Sequence, residues 1–196
     1  KYGADTLRLY EMFMGPFDQV VAWNWESVEG VFRFLKRAWV LVNSVKEQNS
    51  SAAAKSMAAK LIKKIAGDLE ATKFNTVVSA LMEFINWWQE NPDQVGPDVA
   101  ADFVKVVAPL APFMAEEMWF KLGHSESVHL QPWPEYDESL LKGDKAIIIV
   151  QVNGKLRERL EVAADKASNE NYIQQLALAS ARVKNQLKDS KYRAIF

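Results

Sequence analysis

The stretch WESVEGVFRFLKRAWVLVNSVKE, residues 25–47, decides the fold class. Trp25, Val28, Val31, Phe32, Leu35, Trp39 and Val42 recur at spacings of three and four, which winds them onto one stripe of an α-helix. Arg33, Lys36 and Arg37 fall away from that stripe and are expected on a solvated face. Working towards the C-terminus, QNSSAAAK (48–55) is a small polar connection. Met57, Leu61, Ile62, Ile65 and Leu69 then make a second stripe, with Lys60, Lys63 and Lys64 beside it. A third helix starts at Phe74, with Asn75 or Thr76 as its expected cap. It carries Leu81, Met82, Phe84, Ile85 and Trp88 until Asn91-Pro92 stops it. A fourth opens at Pro97-Asp98 and runs to Gly123, with Pro109 and Pro112 bending or breaking it near its middle. Four long helices with short links read as a bundle. Towards the N-terminus, KYGADTLRLY (1–10) has no initiator Met and already carries a helix start. Asp5 is expected to cap a turn that bears Leu7, Leu9, Tyr10 and Phe13, so the chain reads as if it began inside something longer.

The period changes after the Pro-rich stretch LQPWPEYDESLLKGD (130–144), which reads as a semi-rigid linker. AIIIVQVNGKLRERLEV (146–162) is two alternating or β-branched runs joined by Asn153-Gly154, a strong hairpin signal. Helical spacing returns over 168–188 through Tyr172, Leu176, Ala179, Val183 and Leu187, and KYRAIF (191–196) resembles half of another strand. The expected organisation is a mainly α bundle over 1–142 followed by a small α/β domain over 143–196, with its last strand incomplete.

Composition removes whole classes of chemistry. The 196 residues are 49% hydrophobic, with seven Trp and ten Phe, which suits a folded core rather than disorder. With no Cys there is neither a disulfide scaffold nor a thiolate ligand or nucleophile, and the two His, at 124 and 129, do not suggest a metal site. No signal-peptide pattern and no apolar run of membrane-spanning length occurs, so the cytoplasm is the default compartment and no membrane partner is expected. Phosphate-binding glycine loops, the nucleophile elbow and zinc-protease motifs are absent, and Glu116-Glu117 in helical register read as structural carboxylates. No catalytic or metal-ligating residue is assigned.

Charge points elsewhere. The net charge of −1 divides unevenly: residues 1–142 carry 14 Lys and Arg against 19 Asp and Glu, a balance of −5, while residues 143–196 carry 10 against 6, a balance of +4. A basic end on an acidic body is the pattern of a chain that meets a polyanion with one end. Lys155, Arg157 and Arg159, spaced by two after the tight turn, would project from one face of a strand. Lys184, Lys188, Lys191 and Arg193 add to the same small domain. Arg33, Lys36 and Arg37 are the second basic set. Among the aromatics, Trp25, Trp39, Trp88 and Trp119 fall on apolar helical faces, where packing outweighs base stacking. Trp23, Trp87 and Trp133 are less constrained, and Trp133 is expected to cover a core edge.

These segments resemble a known family. KYGADTLRLY followed by GPFDQVVAWNWESVEGVFRFLKRAWVLV (15–42) is similar to the stretch of bacterial-type leucyl-tRNA synthetases that follows their KMSKS loop. KFNTVVSALMEFIN (73–86) and APLAPFMAEEMWFKLG (108–123) resemble the helical anticodon-binding domain shared by leucyl, isoleucyl, valyl and methionyl enzymes. WPEYDESLL (133–141) followed by IIIVQVNGKLRERLEV (147–162) resembles the entry into the small C-terminal domain of the leucyl enzymes in particular. The resemblance implies the C-terminal region of a class I synthetase, which positions leucine tRNA for ATP- and Mg²⁺-dependent leucylation by catalytic and editing domains whose motifs are absent here. It implies no cofactor in this chain and no activity of the chain alone. Asp5 and Arg8 match the family's Ala-Asp-x-x-Arg segment and are expected to be structural here. Lys155, Arg157 and Arg159 match its basic turn and are the first candidates for tRNA contact, with Arg33, Lys36 and Arg37 second. The same region of a valyl or isoleucyl enzyme is one alternative, and a helical protein-interaction module with a basic tail is another.

Overall fold

Helix α1 (Ala4–Phe13) leads through an exposed loop into α2 (Trp25–Asn43), the helix of the deciding stretch. The computed structural model describes residues 2–16, 18–141, 145–163, 166–187 and 194–195. Contacts divide the chain into two units, Lys1–Asp137 and Glu138–Phe196. The boundary expected at 142/143 lies outside the described residues.

In the first unit α3 (Ala52–Glu70), α4 (Phe74–Glu90), α5 (Pro97–Val107) and α6 (Pro112–Lys121) complete the bundle. The expected fourth helix is therefore two, because Pro109 has no N–H to continue the hydrogen-bond ladder of α5, which ends at Val107, and Pro112 starts α6 at a position where its missing N–H costs nothing. Local polar chemistry sets several ends. Asn24 Oδ1 accepts from Glu26 N–H at 2.8 Å to cap α2, and Ser51 Oγ accepts from Ala54 N–H at 3.1 Å to cap α3. The cap expected from Asn75 or Thr76 is not made: α4 begins after Lys73, and the Thr76 hydroxyl donates to the Lys73 carbonyl at 2.8 Å. Asp5 does not cap its own helix either, since α1 has no side-chain cap.

Val31, Phe34, Ala38, Ile65, Leu81, Ile85 and Val104 fill one continuous core. At its centre Phe84 stacks on Phe103 with ring centroids 5.6 Å apart, and Trp88 meets Phe103 edge-on at 5.8 Å. Trp88 and Trp119 are buried as their spacing predicts, and Trp39 is half-buried against the core. Trp25 is not: it is the first residue of α2, meets Trp23 of the preceding loop, and is 68% exposed. The Ser50 hydroxyl, which receives a bond from Gly96 N–H at 2.8 Å and donates to Asp98, ties the connection before α3 to the start of α5. Gly96 is required there, because a Cβ would sit 2.1 Å from the Gln48 carbonyl oxygen.

The second unit holds strands β1 (Lys145–Val152) and β2 (Lys155–Ala163), paired antiparallel, then α7 (Glu170–Ala179) and α8 (Ala181–Leu187). Asn153 and Gly154, at φ 53 and 73, supply the two positive dihedrals of the tight turn predicted for them. The helix expected over 168–188 is interrupted at Ser180, whose extended backbone (φ −65, ψ 127) ends α7. Ile173 and Val183 are the residues these two helices bury. KYRAIF lies mostly outside the described residues, as do Lys188, Lys191 and Arg193.

Candidate nucleic-acid interface

The strand row expected from Lys155, Arg157 and Arg159 is broken by a bulge. Val152 pairs with Lys155 and Gln151 with Leu156, but Val150 pairs with Glu158, so Arg157 has no residue opposite it. The extra residue reverses the alternation of side chains beyond it. Lys155 therefore falls on the face of Val150 and Glu158, whereas Arg159, opposite Ile149, falls on the other. The physical reason lies in β1: Ile147, Ile148, Ile149 and Val150 are apolar on both faces and accept either register, leaving the choice to what packs on the sheet. Helices α7 and α8 pack on it, and Val162, opposite Ala146, is buried beneath them with Leu160 half-buried beside it.

Each cation consequently has its own setting. Lys155 is exposed at the turn and Arg159 is exposed on the open face. Arg157 is half-buried, and its Nε is buried with no hydrogen-bond partner among the described residues. Between them Glu158 accepts from the Ser180 hydroxyl at 2.7 Å and from Arg159 N–H at 3.2 Å, and lies 3.6 Å from the Arg182 guanidinium. The Ser180 bond, the backbone bond and Arg182 together hold its carboxyl below the usual glutamate range. Arg182 is thus partly neutralised, while Lys184 stands exposed on α8. The open face also presents Ile147, Ile149 and Leu156, which are 61%, 57% and 49% exposed. Sequence alternation missed this apolar face because it assumed an unbroken register.

The second basic set lies on α2. Arg33 and Lys36 are exposed, with the Lys36 ammonium 5.0 Å from the centroid of the Phe32 ring. Arg37 donates to Asn86 Oδ1 at 2.8 Å and Gln89 Oε1 at 3.3 Å, both on α4. These acceptors are neutral, so they fix the guanidinium without cancelling its charge. Their presence could not be read from the α2 pattern, because they come from a helix about 50 residues away. Next to Lys36 an apolar groove of about 620 Å³ is lined by Tyr2, Phe32, Trp39, Phe113 and Met114.

Several other ionisable groups are engaged in the bundle. Asp5 accepts from Met114 N–H at 2.7 Å and Phe113 N–H at 3.4 Å, capping α6, and Arg8 donates to the carbonyls of Pro109 and Leu110 at 3.0 and 3.3 Å. The pair thus holds the break between α5 and α6. Glu116 accepts from the Ser127 hydroxyl and Val128 N–H, both at 3.0 Å, and Glu117 pairs with Lys121 at 3.9 Å. His124 stacks on Trp119 at 3.6 Å, and burial, with Lys105 adding to it, lowers its pKa. Among the described residues no group of three or more acidic or imidazole side chains could hold a metal ion, and no helix is long and apolar enough to cross a membrane.

Comparison with known proteins bears on the whole chain. The family model described as the anticodon-binding domain of tRNA ligase matches residues 52–173, more than half of it. Among solved structures, the crystal structure of the ternary complex of Agrobacterium radiobacter K84 agnB2 LeuRS with tRNA and LeuAMS aligns with 99% of this chain at 25% identity and a TM-score of 0.74. The chain spans 28% of the length of that structure's chain.

Proposed function

The chain belongs to the family of anticodon-binding domains of tRNA ligases, and on that premise we propose that it is the tRNA-docking C-terminal region of a leucyl-tRNA synthetase. The observation that carries the reading is the alignment of both units, 99% of the chain, with a LeuRS solved together with tRNA. The chain's contribution is to hold the tRNA so that its acceptor end meets a catalytic body, a gain in proximity rather than a bond-making step. Docking rests on neutralised phosphates and on the shape of the folded RNA. Lys155, Arg157 and Arg159 make the first set of contacts, and Arg33, Lys36 and Arg37 the second. Lys155 and Arg159 serve opposite faces of the hairpin, so the RNA engages its turn and edge rather than one flat row. The ATP and Mg²⁺ of leucylation belong with the catalytic body. Within the bundle Asp5, Asp98 and Glu116 serve backbone amides, a hydroxyl or an ammonium group.

The test is binding of the chain to leucine tRNA, a non-cognate tRNA and a plain RNA hairpin across a salt series. Whole tRNA is expected to bind best, with log affinity falling linearly against log salt. Changing Lys155, Arg157 and Arg159 together to Ala should flatten that slope by about 2 to 3 units, since each phosphate contact contributes about 0.7 to 0.9. An unchanged slope removes these residues from the contact surface, and equal binding of the hairpin removes recognition of the tRNA shape.

A further inference from the structure

The loop between α1 and α2 carries an aromatic ledge outside the part of the chain that matches the anticodon-binding family, residues 52–173. Trp23 meets Tyr10 edge-on with ring centroids 4.7 Å apart, and Trp25 meets Trp23 in the same way at 5.2 Å. The arrangement is held rigid at Asn24, which lies between the two indoles. Its backbone N–H donates to Tyr10 Oη at 2.7 Å while its side chain caps α2. Yet Trp23 and Trp25 remain 44% and 68% exposed, and Val20 in the same loop is fully exposed. Ordered rings turned towards solvent lose little entropy on meeting a partner.

The charge around the ledge decides what that partner is. Between Arg8 and Arg33 the sequence contains Glu11, Asp18, Glu26 and Glu29 and no Lys or Arg. All four carboxylates are exposed, and Glu29 lies one helical turn from Trp25 on the same side of α2. None has a cationic partner among the described residues. A phosphate backbone would be repelled here, whereas a guanidinium or ammonium group finds both an indole face and a carboxylate. We propose that this ledge is a docking surface for a protein segment in which arginine or lysine alternates with apolar residues. The cation lies over Trp25 with Glu26 and Glu29 beside it, and the apolar side chains cover Val20 and Trp23.

The test follows the seven tryptophan indole N–H resonances of the whole chain by NMR, with Trp23→Phe and Trp25→Phe used to assign the two of interest. The probe is a peptide of alternating arginine and leucine; a glutamate–leucine peptide and an RNA hairpin are the comparisons. The expected result is a saturable shift of the Trp23 and Trp25 signals with the arginine peptide alone. Binding should weaken about 5-fold on Trp25→Ala and comparably in the double variant Glu26→Gln, Glu29→Gln. All these side chains are exposed, and unchanged shifts of the buried Trp88 and Trp119 indoles check that the fold is kept. The proposal is overturned if the two signals do not move, if they move equally in the variants, or if the RNA hairpin moves them. It is also overturned if they shift with protein concentration alone, which would assign the ledge to a second copy of the chain.

Discussion

Asp5 holds the amino end of a helix 108 to 109 residues further along the chain. Its carboxylate is buried, and the two amides it accepts from, Phe113 and Met114, are among the N-terminal donors of α6 that have no partner within the helix. Asp5→Ala is therefore expected to destabilise the bundle by about 1 to 2 kcal/mol, the usual cost of a lost cap, measured by urea unfolding. Asp5→Asn should retain part of that, because its amide oxygen still accepts. An Ala variant as stable as the parent would show that the contact contributes nothing. His124 gives a pH dependence of definite sign. Its pKa is lowered by partial desolvation of the ring and by Lys105, so the fold prefers the neutral ring. Stability is complete above the ordinary histidine range and falls as pH drops through it, because the unfolded chain binds the proton first. Thermal melts over the mildly acidic range should show this loss, and His124→Phe, which keeps the stacked ring, should flatten it. A parallel decline in both proteins would assign the loss to other groups.

At the scale of elements, each interruption has a chemical cause. The break between α5 and α6 follows from Pro109 and Pro112, and Arg8 donates to the carbonyls that the break leaves free. The break between α7 and α8 is fixed by the Ser180 hydroxyl, which reaches across to Glu158 on β2. The bulge in β2 places Glu158 opposite Val150, on the face towards the helices, where it can be reached. Bulge and helix break thus support one another. Because the Glu158 carboxyl is held low, it stabilises the second unit above the ordinary glutamate range, and that contribution is lost as pH falls through the lowered value. Ser180→Ala should return the carboxyl towards its ordinary range in an NMR titration and weaken the acid dependence of β2 amide protection. If the titration is unmoved, the hydroxyl is not what holds it.

Across the whole molecule, the two basic sets stand on different units, Arg33, Lys36 and Arg37 on the bundle and Lys155, Arg157 and Arg159 on the hairpin. If both meet phosphates, substituting each set should lower the salt slope by its own amount and the two reductions should add, whereas a solvated set leaves the slope as it was. Much of this was written in local chemistry. The stripes of α2 to α4, the Pro92 stop, the Pro109–Pro112 interruption and the Asn153-Gly154 turn follow from spacing and from dihedral preference, which act over a few residues. The sequence by itself determined a helical bundle followed by a hairpin domain. Only the tertiary structure decided that Trp25 overhangs the bundle, that Asp5 caps α6 rather than α1, that Arg37 rests on α4, and that Lys155 and Arg159 part to opposite faces. Those outcomes depend on which surfaces meet, and a strand that is apolar on both sides, or a carboxylate within reach of two helix ends, carries no local preference between them.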